Sequence, residues 1–273
     1  VAEPGLLDLV VDGGRVLAGR YGLARSGPLD VQSAIIANRL LGNPPFAPLL
    51  EINLLGPTLE VLKEGVIAFA GWGVLPLLGA QQLEPFSSYR VKAGDVLRFR
   101  PQPNGARAYL AVAGGFEVLR HLGSASPDLQ GLIGRPLRTG DVLGAVSDRR
   151  ILAGRSFRMY RNQELQGRIR LLPGPQYNPD AAAALEDGTF SIAASNRMGI
   201  QLDGPALPGG QIVSEGNPLG AVQVTPGGRA IILMNDRGTM GGYAKPALIH
   251  PADLSRAAQL REHEPVRFVF TGV

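Results

Sequence analysis

Cysteine is absent from the 273-residue chain, which excludes disulfides, thiolate metal sites and thiol nucleophiles. Lysine is nearly absent: the 27 basic residues are Lys63, Lys92, Lys245 and 24 arginines. Arginine therefore carries the general surface charge, and a lysine inside a polar cluster points to a specific task. The three histidines, His121, His250 and His263, lie far apart and form no H-E-x-x-H pair, so no metal site is expected. Neither a G-x-x-x-x-G-K-[ST] phosphate loop nor a G-x-S-x-G nucleophile elbow occurs. The most apolar stretch, residues 66–80, is broken by Gly71, Gly73, Pro76 and Gly79, so no uninterrupted apolar helix could span a membrane. The start, Val1–Ala2–Glu3–Pro4, has no basic head or apolar signal core, and a cytoplasmic location is the expectation.

What is present is apolar and rich in turns. Hydrophobic residues make up 45%, and 37 glycines and 22 prolines are scattered among short apolar runs. That pattern reads as many short strands separated by turns. Residues 6–11, 57–62, 66–70, 96–100, 108–113, 211–213, 221–224, 230–234 and 266–270 fit strands, rich in Val, Leu, Ile and Phe and bounded by Gly, Pro or Asp. Their density suits barrels or sandwiches better than βαβ units. One helix is expected after Asp30 as cap, with Val31, Ile35, Leu40 and Leu41 on a helical period and Gly42 as stop. Short helices are expected over 179–185 and 251–260.

A weak internal echo links residues 91–99, 136–143 and 260–268, each a tight turn feeding an apolar run. It suggests two β-rich subdomains, 1–148 and 172–273, joined by an arginine-rich segment, 149–171. In that stretch Arg149, Arg150, Arg155, Arg158, Arg161, Arg168 and Arg170 face only Glu164. With no stacking aromatics beyond Phe157 and Tyr160, it reads as a solvated linker or the docking surface for an acidic partner, not a nucleic-acid stripe.

The densest chemistry is Asn235–Asp236–Arg237–Gly238–Thr239–Met240–Gly241–Gly242–Tyr243–Ala244–Lys245, after the apolar run 230–234. Glycines let a backbone approach a ligand closely, and flanking charges can grip a carboxylate or phosphate. The plain alternative is a charged hairpin loop. Two further clusters, Ser195–Asn196–Arg197–Met198–Gly199 and Ser214–Glu215–Gly216–Asn217–Pro218, lie at strand ends, where a barrel mouth gathers polar groups. Arg197, Glu215 and Gln223 could equally form a structural ion-pair and hydrogen-bond network. In the first half, Arg25–Ser26–Gly27–Pro28–Leu29–Asp30 is simplest as a turn and helix cap. Ser124–Ala125–Ser126–Pro127–Asp128 is a turn or a polar loop over a pocket.

Taken in order, Val11–Asp12–Gly13–Gly14–Arg15, Ser26–Gly27–Pro28–Leu29–Asp30, Ala37–Asn38–Arg39–Leu40–Leu41–Gly42–Asn43, Ala108–Tyr109–Leu110–Ala111–Val112–Ala113–Gly114–Gly115, Ser195–Asn196–Arg197–Met198–Gly199, Ser214–Glu215–Gly216 and the segment from Asp236 to Lys245 carry a resemblance. The chain resembles the KipA family, the biotin-dependent carboxyltransferase or allophanate hydrolase subunit 2 family, over nearly its whole length. The resemblance implies a mainly β fold with a few short helices and two β-barrel-like subdomains, the C-terminal one similar to cyclophilin. It implies a component of an ATP-dependent 5-oxoprolinase complex converting 5-oxoproline to glutamate. The implied partner is the KipI-like B subunit of that complex, with its A subunit as a further component, and ATP could be bound by this chain or by a partner subunit. Related modules transfer a carboxyl group from carboxybiotin to urea. No Met-Lys-Met segment occurs in this chain, so biotin would come from another protein. A third implied role is a non-enzymatic antagonist of a KipI-like kinase inhibitor. On this resemblance Asp236, Lys245, Tyr243 and Glu215 are candidate catalytic residues. Arg237, Arg197, Asn196, Gln223, Thr239, Gly241 and Gly242 are candidates for binding substrate. The sequence departs from the family pattern at Ala125, Pro127, Gly238, Met240 and Ala244.

Overall fold

Short apolar runs cut by Gly, Pro and Asp become sheets: strand accounts for 39% of the chain and helix for 12%, the mainly β architecture expected. The computed structural model describes residues 1–146, 153–158 and 168–271. It divides into two compact units, one of Val1–Val16 with Ser26–Tyr160, the other of Leu17–Arg25 with Arg161–Val273.

The first unit holds a five-stranded antiparallel sheet in the order β1 (Leu9–Val11), β2 (Leu49–Asn53), β9 (Arg107–Val112), β4 (Gly65–Gly71), β7 (Ser87–Val91). Strict alternation divides its core. Val66, Ala68, Ala70, Tyr109 and Ala111 face α1 (Val31–Leu40), while Ile67, Phe69, Ala108 and Leu110 pack with Val74, Leu97 and Phe99. Those last residues belong to a four-stranded sheet, β3 (Leu59–Glu60), β8 (Val96–Pro101), β5 (Val74–Leu78), β6 (Gln81–Gln82). A small ladder pairs β10 (Phe116–Glu117) with β11 (Gly144–Ala145). Asp30 caps α1 as expected, its carboxylate accepting from the Ser33 N–H at 3.0 Å and the Ser33 Oγ at 2.6 Å. Gly42 follows the helix at φ 68°. The buried helix face differs from the expected one. Ser33, Ala34, Ala37, Asn38 and Leu40 turn inward, while Val31 and Ile35 are half-buried. Small side chains let the helix lie close to the sheet.

The second unit is built on a closed seven-stranded barrel. Its strands follow the order β12 (Arg168–Pro173), β19 (Pro265–Phe270), β13 (Phe190–Ser195), β14 (Gly199–Asp203), β17 (Ala230–Leu233), β16 (Ala221–Val224), β18 (Met240–Ile249), and β18 pairs back onto β12. β15 (Gln211–Gly216) adds to the first half of β18. Ile169, Leu171, Phe190, Ile192, Ile200, Leu202, Val222, Val224, Ala230, Ile232, Ala247, Ile249, Val266 and Phe268 are all buried and fill the interior. Among the described strands of this sheet, closure leaves β15 as the edge. The helix α2 (Pro179–Asp187) is capped by Asn178, and a turn at Pro251–Asp253 leads into the one-turn helix α3 (Leu254–Ala257), where a single helix over 251–260 was expected.

Two expectations need correction. Residues 236–245 are not a loop throughout: Met240 onward is the ten-residue strand β18, and only 235–239 turn. Strands β2, β5, β6, β7, β10, β11, β12 and β13 had no counterpart among the expected ones. Of the arginine-rich segment, Arg149, Arg150, Arg161 and Glu164 lie outside the described residues. Arg170 forks onto Asp253, with Nη2–Oδ1 at 2.8 Å and Nε–Oδ2 at 3.0 Å. Among the described residues no helix is long and apolar enough to cross a membrane.

Candidate functional site

A hollow of the second unit lies on the wall of the barrel rather than at its mouth. Gln201 of β14 pairs with Ile231 of β17, which pairs with Gln223 of β16, and Gly199 pairs with Leu233. These residues alternate with the buried Ile200, Val222 and Ile232 and so face away from the apolar interior. Strand β18 joins this face through a bulge. Val222 pairs with Ala247 but Val224 with Ala244, two steps on β16 against three on β18. The extra residue, at Lys245–Pro246, reverses the phase of the strand and turns Gly241 and Tyr243 onto the face of Gln223. Together with Asn196, Met198, Asn217, Arg237, Gly238, Met240 and Gly242 they enclose a hollow of about 400 Å³.

The rim is held by pairing. Arg197 and Asp236 form a bidentate ion pair, Nε–Oδ2 2.7 Å and Nη2–Oδ1 3.1 Å, with both side chains only 5% exposed. Backbone bonds from Met234 N to Met198 O (2.8 Å) and from Asp236 N to Arg197 O (2.9 Å) tie the same two turns together. Asn196 Oδ1 accepts from the N–H groups of Met198 and Gly199, closing the first turn. Asn217 fixes the second: its N–H donates to Thr239 O at 3.0 Å and its Nδ2 to Gly238 O at 2.9 Å.

Other groups around the hollow are open. Arg237 donates from Nε to Asn217 O at 2.7 Å and from Nη1 to Met234 O at 3.3 Å, and no carboxylate pairs with it among the described residues. Burial and then the neighbouring Arg25 charge push its guanidinium below the usual arginine range, the mark of a cation lacking its counter-charge. Gln223 is 7% exposed, yet its side-chain amide has no partner among the described residues. Asn217 Oδ1 is buried and unpartnered too. A Cβ at Gly241 would come within 2.7 Å of Asn217 Nδ2, 2.8 Å of its Oδ1 and 2.9 Å of Gln223 Nε2. Only glycine leaves those amides their space.

Of the sequence candidates, Asn196, Gln223, Arg237, Gly241, Gly242 and Tyr243 line the hollow, whereas Arg197, Asp236, Thr239, Glu215 and Lys245 do not. Arg197 and Asp236 spend their charges on each other. Lys245 is fully buried, with Nζ 3.1 Å from Glu215 Oε1 and donating to Tyr243 O at 3.2 Å. Gln176 donates to the same Glu215 oxygen at 2.9 Å and accepts from the Lys245 N–H at 3.0 Å. The Gln176 hydrogen bond, then Lys245, hold the Glu215 carboxyl below its usual range. Glu215 sits opposite Gly241 in the β15–β18 ladder, next to the hollow. Asn217, Met198 and Met240 lie within the clusters singled out above but were not themselves candidates, and Gln201 and Gln176 lie in none of those clusters. The Ser124–Ser126 turn is structural. Burial would raise the Asp12 carboxyl, but bonds from the Ala125 N–H, Ser124 Oγ, Gly14 N–H and Ser126 Oγ outweigh it and hold it low.

A closed seven-stranded barrel in a chain with further β-sheets is the architecture of a carboxyltransferase domain. Residues 21–270 match the family described as carboxyltransferase domain, subdomain A and B, and the chain belongs to that family. It is 37% identical to the 5-oxoprolinase C subunit of Escherichia coli, over 98% of this chain and 90% of that protein. It is 30% identical to the urea amidolyase of Saccharomyces cerevisiae, over 94% of this chain but only 16% of that protein. Among solved structures, TTHA0988 superposes with a TM-score of 0.95 at 53% identity, covering 98% of this chain and 55% of that one. This chain thus spans about half the length of TTHA0988. The Kluyveromyces lactis urea amidolyase superposes at 0.87 with 29% identity, over all of this chain and 18% of that one.

Proposed function

We propose that this chain is a component of an ATP-dependent 5-oxoprolinase complex and that the barrel-wall hollow binds 5-oxoproline. The observation that carries this reading is Arg237, a half-buried guanidinium that faces the hollow and has only main-chain carbonyls as partners among the described residues. It fits the substrate carboxylate, and a charge-assisted pair there would be strong. Near-full-length similarity to the E. coli 5-oxoprolinase C subunit supports the choice of substrate. In the reaction the oxygen of water bonds to the lactam carbonyl carbon. The carbon–nitrogen bond then breaks, and the nitrogen takes a proton to become the amine of glutamate. Glu215, kept ionised by Gln176 and Lys245, is the base that orients the water. Tyr243 donates a hydrogen bond from the wall. Arg197 and Asp236 position the rim and touch no substrate. ATP belongs to a partner, a KipI-like B subunit acting with the A subunit, since the hollow offers one guanidinium and no glycine-rich loop opening a helix.

The second reading, carboxyl transfer to urea or a related amide, is favoured by the likeness to urea amidolyases. There biotin on another protein would supply a transferable carboxyl group. The open Gln223 amide beside the bare Gly241 backbone suits its ureido ring. The two readings differ in what Arg237 would hold: the carboxylate of 5-oxoproline in the first, the carboxyl group carried by biotin in the second. The test mixes the purified chain with its partner subunits and follows glutamate release from 5-oxoproline. ATP-dependent release supports the first reading. No release, with biotin-dependent carboxylation of urea instead, replaces it with the second, and partner binding without either turnover leaves a regulator.

A further inference from the structure

The Gln223 carboxamide is a donor and an acceptor side by side, nine-tenths buried, lining the hollow and bonded to nothing among the described residues. The amide is not sealed from solvent: it opens onto the hollow, where a ligand that displaces water must replace its hydrogen bonds. Its surroundings keep it open. Gly241 supplies no Cβ where one would press on Gln223 Nε2 and the Asn217 amide. Asn217 Nδ2 is taken by its bond to Gly238 O. The cross-strand neighbour Ile231 cannot hydrogen-bond through its side chain.

We infer that Gln223 reads the cis-amide edge of the ligand. An ordinary trans amide shows its N–H and C=O on opposite edges. A lactam or cyclic urea holds both on one edge, and a carboxamide matches that edge with two parallel hydrogen bonds. Nε2–H donates to the ring carbonyl, and the ring N–H donates to Oε1. The substrate class is therefore a small cyclic amide, or a urea, with an unsubstituted N–H next to the carbonyl. This deepens the reading of the hollow proposed above and rests on it for the site, but not for the reaction.

The experiment measures calorimetric binding of 5-oxoproline and of its N-methyl derivative to the wild-type chain and to Gln223→Met. The N-methyl compound keeps the ring, the carbonyl and the carboxylate and lacks only the N–H. The wild type should bind 5-oxoproline about tenfold to a hundredfold more tightly than the N-methyl compound. Gln223→Met should weaken 5-oxoproline by a similar factor and abolish the discrimination. Should that variant not fold, Gln223→Leu replaces it. This removes both the donor and the acceptor and should show the same loss. Equal binding of the two ligands by the wild type, discrimination that survives in the variant, or no measurable binding of either ligand overturns the inference. Glutamate release without Gln223-dependent discrimination removes this inference and leaves the 5-oxoprolinase reading standing. Discrimination through Gln223 without glutamate release does the reverse.

Discussion

Arg197 and Arg237 lie forty residues apart in sequence and at the same rim, but the structure gives them opposite tasks, and replacing each by methionine separates them. Arg197→Met leaves Asp236 only 5% exposed and without the partner it meets at 2.7 Å. Breaking one side of a buried pair costs roughly 3–5 kcal/mol. At about 2–4 °C per kcal/mol for a protein of this size, the midpoint should fall by roughly 6–20 °C. Arg237→Met gives up two hydrogen bonds to carbonyls but also removes a half-buried cation that has no counter-charge and feels Arg25. These effects oppose each other, so the midpoint should move by a few degrees at most. Its loss appears in binding. A charge-assisted hydrogen bond contributes about 1.5–3 kcal/mol, so 5-oxoproline should bind roughly tenfold to a hundredfold more weakly. Differential scanning fluorimetry and titration calorimetry read the two quantities independently. The reasoning fails if Arg237→Met loses as much thermal stability as Arg197→Met while still binding ligand normally.

Three further outcomes are expected. Lys245→Met removes the second of the two contacts that hold the Glu215 carboxyl low; a base works only above its pKa, so the acidic limb of the pH–rate profile should move to higher pH, and an unmoved limb rules out Glu215 as the base. Gly241→Ala would set a methyl 2.7–2.9 Å from the ends of two side-chain amides; these can swing aside, so stability should change by less than about 1 kcal/mol while affinity for 5-oxoproline drops, and intact affinity would show that the amides do not touch ligand. Asp8 is pushed by burial from 3.8 to about 6, against one N–H from Gly5. The folded state therefore holds this proton more tightly than the unfolded chain, and stability falls as pH rises between those values, by roughly 3 kcal/mol at most. Asp8→Asn cannot ionise and should lose that part of the pH dependence, as compared by urea midpoints at pH 4 and 7.5.

Much of the frame was legible because its signals are local. The Asp30 cap, the Gly42 stop and the run Ala221–Val224 are each decided within a few residues. What escaped depends on distant partners. β2 follows three prolines and carries Glu51 and Asn53, poor strand material by composition. It survives because Glu51, wholly buried, accepts from the Leu29 N–H at 2.9 Å and the Tyr109 hydroxyl at 2.7 Å. β18 carries Gly241, Gly242 and Pro246, residues that punctuate turns. It is a strand because β15, β16 and β12 all pair with it. At the site, charge drew attention to Arg197, Asp236, Glu215 and Lys245, and the structure joins these to one another. Asn217 is uncharged, and its openness depends on registers between distant strands.

The bulge in β18 is the step that makes a binding face from a barrel wall. Below it, Ala247 and Ile249 fill the interior. Without the extra residue, strict alternation would send Gly241 and Tyr243 inward with them, and the face of Gln223 would lose one side. Proline suits this position, because a residue in a bulge need not donate to the ladder. Lys245 beside it takes its charge to Glu215 on the neighbouring strand, which fixes the distorted segment from the other edge. Arg197 with Asp236 holds the rim, and Lys245 holds Glu215, the proposed base, beside the hollow. The groups left open, Arg237 and Gln223, are those a small amide bearing a carboxylate would satisfy.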